Sequence, residues 1–161
     1  MFLSEDLTTQ SGTVALVPQT VSAVDLPVIV TGGIADAQGV SSVIALGAAG
    51  AQAGTAYMLC PEAKTSAVHR KILSDVAVHH AAVTNLFYGR PARGIVNRVM
   101  QELGLLSDLP PVIPFASTAI GPLRAGSESI GKGDFTPLWA GLNVSCCQEI
   151  FGGKAHPAFG F

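Results

Sequence analysis

The chain has 161 residues and a formal net charge of −2, a length that suits one domain with a substantial core. Nearly half of it is apolar, only 12% is charged and the mean hydropathy is +0.45. With no basic stripe, nucleic acid is excluded as an expected partner; the balance instead suits buried parallel strands and Ala/Gly-rich helices, or a chain that covers part of its face against something else. Residues 37–61 contain no charge, but Gly39, Gly47, Gly50, Gly54 and Gln52 interrupt them. That segment reads as helix, turn and strand rather than as an apolar run of about 18 residues crossing a membrane. Met1-Phe2-Leu3-Ser4-Glu5-Asp6 has no basic n-region before a hydrophobic stretch, so no secretory signal is expected. Cys60, Cys146 and Cys147 lack metal-ligand spacing and read as reduced cytoplasmic thiols.

In chain order, residues 1–13 read as a polar loop. Val14, Val17, Val21 and Val24 share one helical face, with Pro18 expected in the first turn. Pro27 leads into a first strand, Val28–Val30, and Asp36 is placed to cap a helix that packs Val40, Val43 and Ile44. A second strand is expected over Ala51–Tyr57. Glu62–Val78 reads as a helix burying Ala67, Ile72 and Val76. A short β excursion and turn follow at Thr84–Gly94, then a helix from Ile95 to Leu103 stopped by Gly104. Leu109–Ala116 is Pro-rich and expected to be extended. Ser117–Ala125 reads as a helix interrupted by Gly121-Pro122, Gly126–Thr136 as loop, Pro137–Ile150 as a last helix, and Gly152–Phe161 as an irregular tail.

The most informative pattern is a pair of glycine-bearing strand ends, Val28-Ile29-Val30-Thr31-Gly32-Gly33-Ile34 and Gly50-Ala51-Gln52-Ala53-Gly54-Thr55. They are separated by one helix length. A β-α-β crossover returns the chain to its starting side, so both ends fall on the same edge of a parallel sheet. Glycines there let backbone N–H groups approach a phosphate closely. The Gly-x-Gly-x-x-Gly fingerprint of a dinucleotide fold is missing. Phosphate sites after the last two strands of a (β/α)8 barrel use this kind of pairing; a merely structural β-to-α turn is the competing reading.

These residues resemble the flavin-binding half of nitronate monooxygenases, formerly 2-nitropropane dioxygenases. The likeness rests on Val28–Asp36, Ala45-Leu46-Gly47-Ala48 and Gln52-Ala53-Gly54-Thr55. It extends to Gly89-Arg90-Pro91-Ala92-Arg93-Gly94 and to Leu138-Trp139-Ala140-Gly141, so that it covers most of residues 13–145. Related FMN barrels, including flavin-dependent enoyl-ACP reductases, share the Gly-Gly-Ile and Gly-Thr ends. The resemblance implies the C-terminal part of an FMN-binding (β/α)8 TIM barrel, strands 7–8 and the following helices, incomplete as an isolated chain. Residues 1–161 would form a single partial domain, with 1–60 the last βαβ unit and 61–161 a mostly helical region. It further implies non-covalent FMN, with Gly33 binding the phosphate through its N–H and Gly32 allowing the tight approach. Gln52, Ala53, Gly54 and Thr55 would form the second phosphate loop, Thr55 adding a hydroxyl. Ala53 stands where the family usually has a larger residue such as Met, and Leu142 where it commonly has Gln.

A complete barrel needs eight strands and about 250 residues, whereas this chain shows two confident strands. By comparison with the family it starts just before the seventh strand, and the catalytic His on an earlier strand is absent. The implied activity is FMN-dependent oxidation of alkyl nitronates or nitroalkanes with O2, in the cytoplasm, with a partner chain completing the barrel. The alternatives are a non-catalytic, truncated flavin-binding or interaction module, or a related FMN barrel such as an enoyl-ACP reductase. Arg90, Arg93 and Arg98 are expected to serve structural carbonyl or carboxylate contacts. His69, His79, His80 and His156 are expected to be solvated or helix-terminal rather than catalytic.

Overall fold

A computed structural model describes residues 6–75 and 80–145. The chain divides into two compact units, residues 10–65 with 141 onward, and residues 66–140 with the N-terminal segment to Thr9.

In the first unit, α1 (Thr13–Ala23) precedes β1 (Ile29–Thr31), α2 (Ala37–Ala45) and β2 (Gly50–Gln52), and a 3₁₀ turn (Thr55–Leu59) follows. Pro18 is the sixth residue of α1 rather than part of its first turn, because the helix begins at Thr13, directly after Gly12. Asp36 caps α2 as its sequence position suggests: its carboxylate accepts the Gly39 N–H at 2.7 Å. β1 and β2 pair in parallel, Ile29 with Gly50, Val30 with Ala51 and Thr31 with Gln52. The crossover thus sets both glycine ends on one edge. The second strand is shorter than expected and stops at Gln52, since the backbone turns at Gly54 into the 3₁₀ helix. Val17, Val30, Ile34, Val40, Val43, Ala48, Ala56 and Cys60 form the core of this unit.

In the second unit, α3 (Ala67–Ser74) is followed by an antiparallel hairpin of β3 (Ala81–Thr84) and β4 (Ala92–Ile95). Then come α4 (Arg98–Leu103), α5 (Phe115–Ala119) and α6 (Gly121–Ser129). Ser66 starts α3 by accepting the His69 N–H at 3.3 Å, four residues later than the apolar pattern suggests. The buried face is therefore His69 and Leu73 rather than Ala67 and Ile72; Val76 lies outside the described residues. Ile95 belongs to β4, and the helix after it begins only at Arg98. Gly121-Pro122 does interrupt a helix, separating α5 from α6, and α6 extends through Ser129 where a loop was expected.

The expected last helix is absent across residues 137–145; its remainder, and the tail, lie outside the described residues. Leu138–Ala140 instead runs beside β4. The Ile95 N–H donates to Leu138 O at 2.8 Å, the Ala140 N–H donates to Arg93 O at 3.2 Å, and Trp139 bridges Gly94. Pro137 cannot donate a helical bond, and β4 offers an open edge that satisfies the following backbone groups. Ala82, Leu86, Phe87, Val99 and Met100 form the core here. Trp139 packs edge-on against Phe87 at 5.5 Å and, tilted by 39°, against Tyr88 at 5.1 Å.

Candidate functional site

Within the first unit, the strand ends open into a cavity of about 200 Å³ lined by Thr31–Ala35, Gln52, Gly54, Thr55, Gly141 and Asn143. Gly32 and Gly33 sit at φ +105° and +75°, a backbone region closed to most L side chains. A Cβ at either, or at Gly54, would meet no protein atom within 4 Å. The two glycine turns therefore leave open space at the backbone instead of packing against a neighbour.

Side-chain hydroxyls lace the segments together. The Thr31 hydroxyl donates to Gln52 O at 3.1 Å and ties the end of β1 to the end of β2. The Thr13 hydroxyl donates to Gly32 O at 3.4 Å. From the C-terminal side, the Gly141 N–H donates to Thr55 Oγ1 at 2.8 Å. A Cβ on Gly141 would stand 3.4 Å from Thr55 Oγ1 and 3.8 Å from Gly33 N, so residue 141 borders both glycine turns. Three stretches far apart in sequence meet here.

Gly32, Gly33, Gln52, Gly54 and Thr55 all line this cavity. Ala53 does not; it packs against the core cluster. Sequence reasoning missed Thr31, Gly141 and Asn143. A Trp-Ala-Gly end signals the C-terminal segment, but only the fold shows it folding back to Thr55. Leu142 is 65% exposed, and the polar residue facing the cavity is its neighbour Asn143.

Among the described residues, none that lines the cavity is ionisable. Asp36, next along the chain, is engaged as the cap of α2. An anion here would be held by backbone N–H groups and hydroxyls, the means by which a turn of successive N–H groups holds phosphate. The volume falls below the roughly 300–1,000 Å³ of a pocket enclosing a whole drug-sized ligand, so the cavity suits one end of a larger molecule.

The arginines and histidines lie in the second unit. The Arg93 guanidinium donates to Ala81 O at 3.2 Å across the hairpin. Arg98 pairs with Glu102 at 2.6 Å on the exposed face of α4 and lies 5.8 Å from the Phe135 ring centroid. Both make the structural contacts expected of them. Arg90 lines a separate open cavity of about 550 Å³ with Asp108 and Asn85. His80 is exposed, while His79 and His156 lie outside the described residues. His69 is helix-terminal, in the first turn of α3, but it is buried rather than solvated, 8% exposed, because it points inward. Its Nε2 has no hydrogen-bond partner, and the ring bonds to the Trp139 backbone. Burial holds this imidazole below its ordinary value, with the Trp139 bond opposing in part.

The nitronate monooxygenase family model matches residues 4–154. The chain is 34% identical over 147 residues to a probable nitronate monooxygenase of Staphylococcus saprophyticus, covering 91% of this chain and 41% of that protein. It is 35% identical over 140 residues to a nitronate monooxygenase of Pseudomonas aeruginosa, covering 86% and 40%. Among solved structures, a nitroalkane oxidase from Streptomyces ansochromogenes superposes with a TM-score of 0.87 at 31% identity, over 98% of this chain and 45% of that one. FabK from Thermotoga maritima shares the fold at a TM-score of 0.68 and 24% identity, over 93% and 48%. These neighbours are TIM-barrel flavoproteins, and the chain spans less than half the length of each. Its fold is accordingly the C-terminal part of a (β/α)8 barrel, incomplete within this chain. No helix among the described residues is long and apolar enough to cross a membrane. With the family model matching nearly its whole length, residues 4–154, the chain belongs to the nitronate monooxygenase family.

Proposed function

We propose that the cradle between the β1 and β2 ends holds the phosphate of FMN, as part of an enzyme that oxidises alkyl nitronates with O2. The observation that carries this reading is the convergence of Gly33, Gly54-Thr55 and Gly141 on one open cavity whose glycine backbone no side chain covers. Gly33 and the Gln52–Thr55 loop offer backbone N–H groups, and Thr55 a hydroxyl, to phosphate oxygens. Gln52 and Asn143 stand at the rim to meet the sugar-like chain. When bound, the flavin supplies the electron transfer between nitronate and O2; this chain's residues bind and orient it.

The proton is handled elsewhere. A general base must come within about 3 Å of the proton it takes, and no residue lining the cradle can titrate. The catalytic His belongs, on this reading, to the remaining barrel strands. Among the described residues β1 and β2 pair only with each other, and Ile29 and Leu26 are 59% and 74% exposed. A polypeptide bearing the other strands would cover them. A cradle lined, among the described residues, by backbone, hydroxyls and amides favours a second reading for this chain alone, a flavin-binding module without turnover.

Fluorescence titration with FMN and with riboflavin, followed by oxygen uptake with an alkyl nitronate, tests both. FMN bound at least tenfold more tightly than riboflavin is the expected result. Equal binding of the two, or none, would sink the phosphate reading. Oxygen uptake by the chain alone would sink the module reading.

A further inference from the structure

We infer that Gly141 is a positioning residue for the phosphate: its backbone N–H aims the Thr55 hydroxyl hydrogen into the cradle, where a phosphate oxygen accepts it. This rests on the phosphate reading above and adds to it a third segment, outside the two glycine strand ends.

A threonine hydroxyl has one hydrogen to give and two lone pairs to receive with. The Gly141 N–H already occupies one lone pair of Thr55 Oγ1, at 2.8 Å. The hydroxyl hydrogen must therefore point away from Gly141. Thr55 lines the cavity together with Gly33 and Gly54, and Gly141 stands close to both Thr55 Oγ1 and Gly33 N. An accepted hydrogen bond also polarises the hydroxyl and strengthens it as a donor. The result is a two-step relay, from amide to hydroxyl to phosphate, in which the outer link forms only when an anion is present.

The relay also explains the glycine at 141. A side chain there would reach toward the hydroxyl and toward Gly33 N, crowding the oxygens of the bound group. It couples the placement of the C-terminal segment to occupation of the cradle: ordering residue 141 prepares Thr55, and a phosphate on Thr55 retains residue 141. Such mutual dependence predicts a distinct spectroscopic mark, because a hydrogen bond to a polarised acceptor moves the donor's amide proton downfield.

The test uses the full chain, isotopically labelled, titrated separately with FMN and with riboflavin. FMN is expected to move the Gly141 amide proton downfield, and riboflavin, which lacks the phosphate, to leave it in place. Thr55→Val keeps the shape but removes both links; it should weaken FMN about tenfold or more, leave riboflavin within about threefold, and abolish the Gly141 shift. Thr55→Ser restores the hydroxyl and should restore both the shift and most of the affinity. Gly141→Ala keeps the N–H but sets a methyl beside Thr55 Oγ1 and Gly33 N, so it should weaken FMN and not riboflavin. Should Thr55→Val fail to fold, the Gly141 signal of the unaltered chain and the Thr55→Ser variant still decide the matter. Tight, phosphate-dependent FMN binding with an unmoved Gly141 amide would overturn the relay and leave the phosphate reading standing. Equal affinity for FMN and riboflavin would overturn the phosphate reading, and the relay with it.

Discussion

The two units of this chain handle buried and exposed backbone in opposite ways. In the unit of β1 and β2, glycines leave the strand ends open, and the hydroxyls of Thr31, Thr13 and Thr55 make single bonds at exposed or half-exposed positions. In the hairpin unit, polar groups are sealed inside. Thr84 is fully buried and takes the Leu86 N–H, while the Asn97 amide donates to Gly133 O at 2.8 Å and to Thr136 O at 2.9 Å. Thr136 in turn donates to Glu128, which is also held by Arg124 at 2.9 Å. One unit leaves its strand ends open and the other spends its hydrogen-bonding capacity on cohesion. Substitutions in the first should change binding more than stability, and those in the second the reverse.

The sharpest way to break that contrast is at Asn97. Asn97→Ala removes two buried bonds and leaves the Thr136 carbonyl without this donor, so a loss of about 3 kcal/mol is expected from urea unfolding. A loss below about 1 kcal/mol would mean the network is not what holds α4 to the segment after α6. Gly89→Ala comes next. Gly89 lies at φ +71°, and an added Cβ would stand 2.5 Å from the Pro111 carbonyl oxygen. Backbone cannot yield as a side-chain tip can, so about 2 kcal/mol is expected, measured by the same unfolding curve.

In the other unit the balance reverses. Gly33→Ala meets nothing within 4 Å, and only its left-handed backbone at φ +75° resists the change. Stability should fall by about 1 kcal/mol. Affinity for FMN should fall more than tenfold, because the new methyl enters the space a phosphate needs. Calorimetric titration with FMN, set beside the melting temperature of the free protein, separates the two effects; equal proportional losses would contradict the comparison.

What the sequence made legible follows the same division. The β1–α2–β2 crossover was readable because its signals are local: a β-branched run, a capping Asp36, and glycines at both strand ends. Five of the six residues that the family resemblance adds to those signals line one cavity. The hairpin unit was less legible. Asn97 meets Gly133 and Thr136 across 36 and 39 residues, and no periodicity encodes that. The helix expected at Pro137–Ile150 illustrates the cause. Its composition permits a helix, but the edge of β4 competes for the same backbone groups and wins through residue 140. Gly141 belongs to a segment quoted for the resemblance, but its contact with Thr55 appears only in the fold, for a related reason.

The smallest expected effect probes the sealed unit through acidity. His69 is buried with an unpartnered Nε2, and burial lowers its pKa from 6.5 while the Trp139 backbone bond partly offsets this. In the unfolded chain the ring takes up a proton as the pH falls through about 6.5, whereas the folded chain resists until lower pH. The unfolded state then binds more protons, so stability falls as the pH drops below 6.5 and is insensitive to His69 above it. His69→Gln removes the titration and should flatten that part of the pH dependence. Melting temperatures of both proteins from pH 7.5 to 5.0 are the measurement. Parallel curves would show that His69 does not stay neutral in the fold, and that the hairpin unit tolerates a buried charge its other polar groups are arranged to avoid.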